Sequence, residues 1–89
     1  MNCPNTHENT KKKPYTRMLA DCALAIEKID LRRAVLMQEL KALRAEPEHS
    51  PENIRLQSLL RARIRLLYEE RCEIEETRSR IRIYAEMEA

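Results

Sequence analysis

The sequence predicts an all-α fold, an antiparallel two-helix hairpin that resembles a short coiled coil. Three observations predict it: a composition without glycine, apolar residues at heptad spacing on both sides of one break, and two prolines within that break. Of the 89 residues, 43% are apolar and 36% charged, and Phe and Trp are absent. This composition is typical of long helices. A β-hairpin fold and glycine-rich phosphate-binding loops both depend on glycine, so the sequence argues against them.

Helix 1 is predicted over about residues 14–45. Pro14 suits the first turn of a helix, where its missing N–H group costs nothing. The apolar residues that follow alternate at spacings of three and four, which is the seam pattern of a coiled coil. This seam comprises Leu19, Cys22, Ile26, Ile29, Leu36, Leu40 and Leu43, with Arg33 at the remaining position. Residues 1–13 show no periodicity, and we predict a flexible polar and basic tail.

The break lies at residues 46–50, "EPEHS". Pro47 disfavours the helical conformation of the residue before it, so helix 1 should end near Ala45. Ser50 is a good N-cap, and Pro51 suits the first position of a second helix. Because connections this short join antiparallel neighbours, the break should fold the chain back on itself.

Helix 2 is predicted over about residues 51–87. Its seam comprises Leu60, Ile64, Leu67, Ile74 and Ile81, with Arg71 and Arg78 at the remaining positions. Seam arginines can pack their aliphatic stems in the seam while their guanidinium groups reach neighbouring carboxylates. The alternative is that they are exposed at a bundle end and bind an acidic partner. A turn centred near Glu48 predicts a pair between Glu27 and Arg71. Three pairs within helix 2 are also expected: Arg65–Glu69, Arg71–Glu75 and Glu76–Arg80.

A single seam rarely stabilises a chain this short, and both helices carry further apolar residues. Opposite the seam of helix 1 lie Leu24, Leu31 and Val35, whereas Leu56, Leu59, Leu66 and Tyr84 widen the apolar face of helix 2. We therefore expect a homodimer that forms a four-helix bundle, or docking on another protein. The predicted partner-binding residues are Leu24, Leu31 and Val35, with charged neighbours at Arg61 and Arg65.

The function predicted from these features is that of a small, non-enzymatic, cytoplasmic protein-binding module. Such a module would be an accessory factor, a small chaperone or an inhibitor of a host enzyme. Cys3 and His7 lack the second ligand pair of a structural zinc site, and neither predicted helix carries a histidine to act as a base. We therefore expect no catalytic residue, metal or cofactor. The three cysteines indicate reduced thiols, and no apolar run is long enough for a membrane.

The alternative is a nucleic-acid-associated helical protein that uses the arginines of helix 2 and the tail lysines Lys11, Lys12 and Lys13. A helix that binds phosphates gathers its basic residues on one face. From Pro51 to Ala89, however, the chain holds eight basic and eight acidic residues, and the net charge of the whole chain is only +2. Protein binding is therefore the favoured prediction.

Overall fold

A computed structural model describes the backbone of residues 3–88 and the side chains of residues 14–88. It contains two helices, α1 (Cys3–Ala45) and α2 (Pro51–Glu88), which pack against each other along their length. The chain is a rod with dimensions of 70 × 24 × 13 Å. The predicted all-α helical hairpin is confirmed, whereas its pairing into a four-helix bundle stays a prediction.

The start of α1 differs from the predicted position. The helix begins at Cys3 and contains Pro14 in its interior, although the sequence analysis placed its start at that proline. An interior proline removes one backbone hydrogen bond. Extending an existing helix nevertheless costs less than nucleating one, so α1 can continue past it. The side chains of residues 1–13 lie outside the described residues, and the flexible tail with Lys11, Lys12 and Lys13 stays a prediction.

The seam follows the predicted heptad pattern. All eight predicted positions of α1 and all seven of α2 are buried or half-buried. Of the described apolar side chains, four are buried, namely Ile26, Ile29, Leu40 and Ile81, and none is completely buried. A two-helix contact encloses one narrow stripe from each helix, so the interior of the hairpin is shallow.

The far end of the seam is closed by Tyr15. Burial raises the pKa of the Tyr15 phenol, and a hydrogen bond with Glu88 and the charge of that carboxylate raise it further. This contact joins the Pro14 region of α1 to the last turn of α2. The helices therefore stay together along the whole of α2.

The turn is held by polar side chains at the start of α2. Ser50 is the predicted N-cap, and its Oγ accepts a hydrogen bond of 3.1 Å from the backbone N–H of Asn53. Asn53 Nδ2 donates to the carbonyl oxygen of Leu43 at 3.2 Å and to Glu46 Oε2 at 2.9 Å. Gln57 Nε2 donates to Asn53 Oδ1 at 2.6 Å. Asn53 thus satisfies one of the last carbonyl groups of α1, which have no partner inside that helix.

His49 also contacts the end of α1, with its Nε2 atom 3.3 Å from the carbonyl oxygen of Arg44. Asn53 and Gln57 are both buried. Residues at the start of α2 therefore cap two helix ends. Ser50 caps the N-terminus of α2, and Asn53 caps the C-terminus of α1. Among the described residues, no helix is long and apolar enough to cross a membrane.

Leu40→Ala should lower the free energy of unfolding by about 2–5 kcal/mol, because it removes a buried side chain from the seam. Leu67 is only half-buried, so Leu67→Ala should cost less than Leu40→Ala. Leu31→Ala is the matched control, since this side chain is 63% exposed and its loss should change stability by at most about 0.5 kcal/mol. Urea unfolding followed by circular dichroism measures all three. Equal effects of Leu40→Ala and Leu31→Ala would contradict this seam.

Asn53→Ala and Gln57→Ala should each cost about 1–3 kcal/mol, because each leaves buried polar groups without a partner. Gln38→Ala removes a comparable amide from an exposed position of α1 and serves as the control. Hydrogen exchange of the backbone amides provides a second measurement. Asn53→Ala should increase exchange mainly in the amides nearest the turn, and protection that stays unchanged there would argue against the capping role of Asn53.

Candidate protein-binding surface

A cluster of charged residues crosses the middle of the seam and fixes the register of the two helices. Arg71 Nε donates to Asp30 Oδ1 at 2.8 Å, and Arg71 Nη2 lies 3.4 Å from Asp30 Oδ2. Arg71 also pairs with Glu75 within α2. The hydrogen bond with Asp30 raises the pKa of the Arg71 guanidinium, although partial burial opposes this. These contacts agree with the structural interpretation of the seam arginines.

The predicted pair between Glu27 and Arg71 is wrong. Glu27 is exposed, and the partner of Arg71 on α1 is Asp30. Side chains on a helix tilt toward its N-terminus. The long side chain of Arg71 therefore extends toward the turn, where it meets the carboxylate that lies nearly one helical turn beyond Glu27. The predicted pair follows from counting residues from the turn, and such a count takes no account of this tilt.

Arg33, also a seam position, lies beside the same cluster. Its guanidinium carbon is 5.6 Å from the centre of the Tyr68 ring, and its Nη1 atom is 3.8 Å from Asp30 Oδ1. Arg33 Nε is buried and has no hydrogen-bond partner within the described part of the chain. Within α2, Glu76 and Arg80 form the expected pair at 3.8 Å, whereas the described structure contains no ion pair between Arg65 and Glu69. Arg78, the third seam arginine, is half-buried.

The outer face of α1 is defined here by Leu24, Leu31 and Val35, which lie outside the seam. These side chains are 50%, 63% and 57% exposed. They repeat at spacings of seven and four residues, so they form one column along the helix. Half-exposed apolar side chains in a column are a candidate docking surface, because a partner that covers them removes apolar area from water.

A groove between the helices lies next to this column. It has a volume of about 470 Å³, and we call it the first groove. Its lining is largely apolar and comprises Arg32, Val35, Leu36, Arg63, Leu66 and Leu67. Val35 therefore borders both the outer face and the first groove. Leu66, at 63%, is among the most exposed apolar side chains of α2.

A second groove of about 360 Å³ follows on the same side of the rod, nearer the turn. Its lining comprises Glu39, Ala42, Leu43, Glu46, Leu56 and Leu60. Five of these residues are the first-groove residues displaced by one heptad, so the two grooves form one continuous face. The difference is charge: arginines flank the first groove and glutamates flank the second.

Arg61 and Arg65, the predicted charged neighbours, are exposed but do not line either groove. At about 100° per residue, both project from the side of α2 roughly opposite Arg63. The structure therefore brings Val35 to a groove flanked by Arg32 and Arg63 instead. Sequence analysis missed these two arginines because the helical register across the seam decides which charges meet. The binding roles of Leu24, Leu31, Val35, Arg61 and Arg65 stay predictions.

Two cysteines have described side chains. Cys22 is half-buried in the seam, Cys72 is exposed, and both are free thiols. Among the described residues, no group of three or more His, Cys, Asp or Glu side chains is arranged to hold a metal ion. The Cys3 and His7 side chains, which suggested only a weak zinc site, lie outside the described residues.

Comparisons of the chain with models of known protein families, with curated protein sequences and with solved structures found no match. The surface of the hairpin offers the outer face of α1 and the two grooves beside it as candidate binding surfaces.

A double-mutant cycle tests the seam cluster. Asp30→Ala and Arg71→Ala should show a small but favourable coupling in the free energy of unfolding, because both side chains are partly exposed and water screens their charges. Glu27→Ala combined with Arg71→Ala is the matched control and should show coupling near zero. A larger coupling for Glu27 than for Asp30 would show that the register is wrong.

Proposed function

We propose that this protein is a non-enzymatic binding module that docks a rigid helical hairpin on a partner protein. The single observation that carries the proposal is the exposed apolar column of Leu24, Leu31 and Val35 on a helix whose seam face is already occupied. A solvated structural helix would present polar residues at these positions. We propose the outer face as the docking surface.

The total surface of the chain supports the same proposal. It amounts to 7452 Å², whereas a compact monomer of 10.6 kDa exposes about 5,500 Å². A standard protein–protein interface takes about 800 Å² from each partner. The excess follows from the rod shape, and an interface of standard size fits on this surface without opening the seam.

The proposed mechanism is steric. A preorganised rod loses little conformational entropy on binding, so most of the gain from apolar contact appears as affinity. Such a rod can bridge two surfaces of a partner or cover one of them. Both actions suit an accessory factor, a small chaperone or an inhibitor of a host enzyme, which is the class proposed here.

The test compares two double variants that each add two negative charges. Leu24→Glu/Leu31→Glu alters the outer face, whereas Ser58→Glu/Ser79→Glu alters exposed positions of α2 that lie outside it. Proteins captured from the native host by the wild-type chain are identified, and their affinity for each variant is measured by calorimetry. A partner of this surface should lose about 2 kcal/mol or more with the first variant and bind the second like the wild type.

Circular dichroism of both variants shows whether the hairpin is intact. Equal retention of the captured protein by both variants would contradict docking through the outer face. Random duplex DNA is the second probe. If the chain instead acts on nucleic acid through its tail lysines, deletion of residues 1–13 should reduce the salt slope of binding by up to about three phosphate contacts. Tight DNA binding that this deletion abolishes would favour the alternative function.

A further inference from the structure

Both helices carry the same eight-residue pattern of charge and hydrophobicity. It begins with an arginine, has apolar residues at its fourth and fifth positions, and ends with a glutamate. On α1 it reads "RRAVLMQE" at residues 32–39, and on α2 it reads "RIRLLYEE" at residues 63–70. Its first, fourth, fifth and eighth residues lie on one side of a helix. Each helix therefore presents an apolar pair between a positive and a negative charge.

The hairpin brings the two patterns together at the first groove. The apolar pairs Val35–Leu36 and Leu66–Leu67 line this groove, together with Arg32 and Arg63. Because the helices are antiparallel and the two apolar pairs line the same groove, the two patterns run past each other in opposite directions. The first residue of one pattern and the last residue of the other therefore lie toward the same end of the groove. Arg32 and Glu70 lie toward the end far from the turn, and Glu39 and Arg63 lie toward the end nearer the turn.

Four charged residues flank the apolar pairs: Arg32 and Arg63 line the first groove, and Glu39 and Glu70 follow one heptad further along the same side of each helix. We call these four the corner charges, and none of them has an ion-pair partner within the described part of the chain. Arg32, Glu39, Arg63 and Glu70 are all exposed, and the ion pairs found among the described residues involve other side chains. Between them, Val35 and Leu66 are 57% and 63% exposed. The groove thus combines exposed apolar side chains with four flanking charges that alternate in sign and form no ion pair within the described chain.

We propose that a second copy of this chain closes the first groove through a twofold axis, so that each corner arginine meets a glutamate of the other copy. The alternation of sign is what makes the face complementary to itself, as an isologous interface requires. An axis along the rod exchanges the helices and brings Arg32 to Glu70 and Arg63 to Glu39. An axis across the rod brings Arg32 to Glu39 and Arg63 to Glu70. Both axes satisfy all four charges.

The same pattern argues against a partner of one dominant charge. An acidic surface would meet Arg32 and Arg63 but oppose Glu39 and Glu70, and a basic surface would do the reverse. A second copy carries the matching alternation at the matching spacing, and Val35, Leu36, Leu66 and Leu67 then pack against their own equivalents. Interhelical Arg–Glu pairs that flank an apolar stripe are the arrangement that sets partner choice in coiled coils.

This inference goes beyond the proposed function and does not depend on it. Self-pairing covers the first groove, whereas the docking surface is the outer face, where Leu24 and Leu31 remain accessible in the dimer. Val35 borders both surfaces, so it is left unchanged in the experiments that separate them. Dimer formation is measured with the purified chain alone, and therefore its failure is distinct from failure to bind another protein.

The test uses charge reversal at the corners of the groove. The all-acidic variant is Arg32→Glu/Arg63→Glu, and the all-basic variant is Glu39→Arg/Glu70→Arg. Each places like charges opposite each other in a dimer, which should raise the dimer dissociation constant roughly a hundredfold or more. The control, Arg61→Glu/Arg65→Glu, changes the net charge as the all-acidic variant does, but on the other side of α2. It should change the dissociation constant by less than about threefold.

The decisive measurement is sedimentation equilibrium of an equimolar mixture of the all-acidic and all-basic full-length variants, with circular dichroism to show that each is folded. The mixture should form heterodimers with nearly the affinity of the wild type, although each variant alone is monomeric. The quadruple variant, in which all four charges are exchanged, should again form homodimers. A wild-type chain that stays monomeric at high micromolar concentration would overturn the proposal. A mixture that fails to associate would overturn it as well.

Discussion

The structure depends on one contact, the apolar seam between α1 and α2. Two packed helices can bury only one stripe of side chains from each helix. In this hairpin, arginines occupy some positions of the stripe, and the buried amides of Asn53 and Gln57 lie at its end near the turn. Among the described residues, the buried apolar ones are Ile26, Ile29, Leu40 and Ile81. The other apolar residues of the seam are half-buried, and many outside it, such as Leu31 and Leu66, are exposed. The outer face and the grooves are therefore direct consequences of building a protein from a single seam.

The heptad repeat made the seam and the helix boundaries at the turn predictable from sequence. Repeats of three and four residues mark the inner face of a helix regardless of its partner, so Leu40 and Ile81 could be assigned from spacing alone. Pro47, Ser50 and Pro51 defined the break through local backbone chemistry. These features depend on residues that are close in sequence, and the structure agrees with each of them.

Features that join the two helices were less predictable. The pairing of Arg71 with Asp30 depends on how side chains tilt along both helices, and residue counting from the turn missed it. Asn53 and Gln57 continue the spacing of three and four residues of the α2 seam before Leu60, but they are polar, so a search for apolar residues alone did not include them. The first groove could not be derived either, because it needs the register that brings Leu36 and Leu67 together. The start of α1 was misplaced because Pro14 suits both a first turn and a tolerated interior position.

The shallow interior also determines how the fold responds to temperature. The heat-capacity change of unfolding grows with the apolar area that unfolding exposes. This hairpin buries little apolar area, so its heat-capacity change should be small. A small heat-capacity change flattens the curve of stability against temperature, so cooling weakens the fold little. A short chain also has a small enthalpy of unfolding. A small enthalpy makes the melting transition extend over a broad temperature range. The isolated rod should therefore lose structure gradually on heating, with no sharp transition.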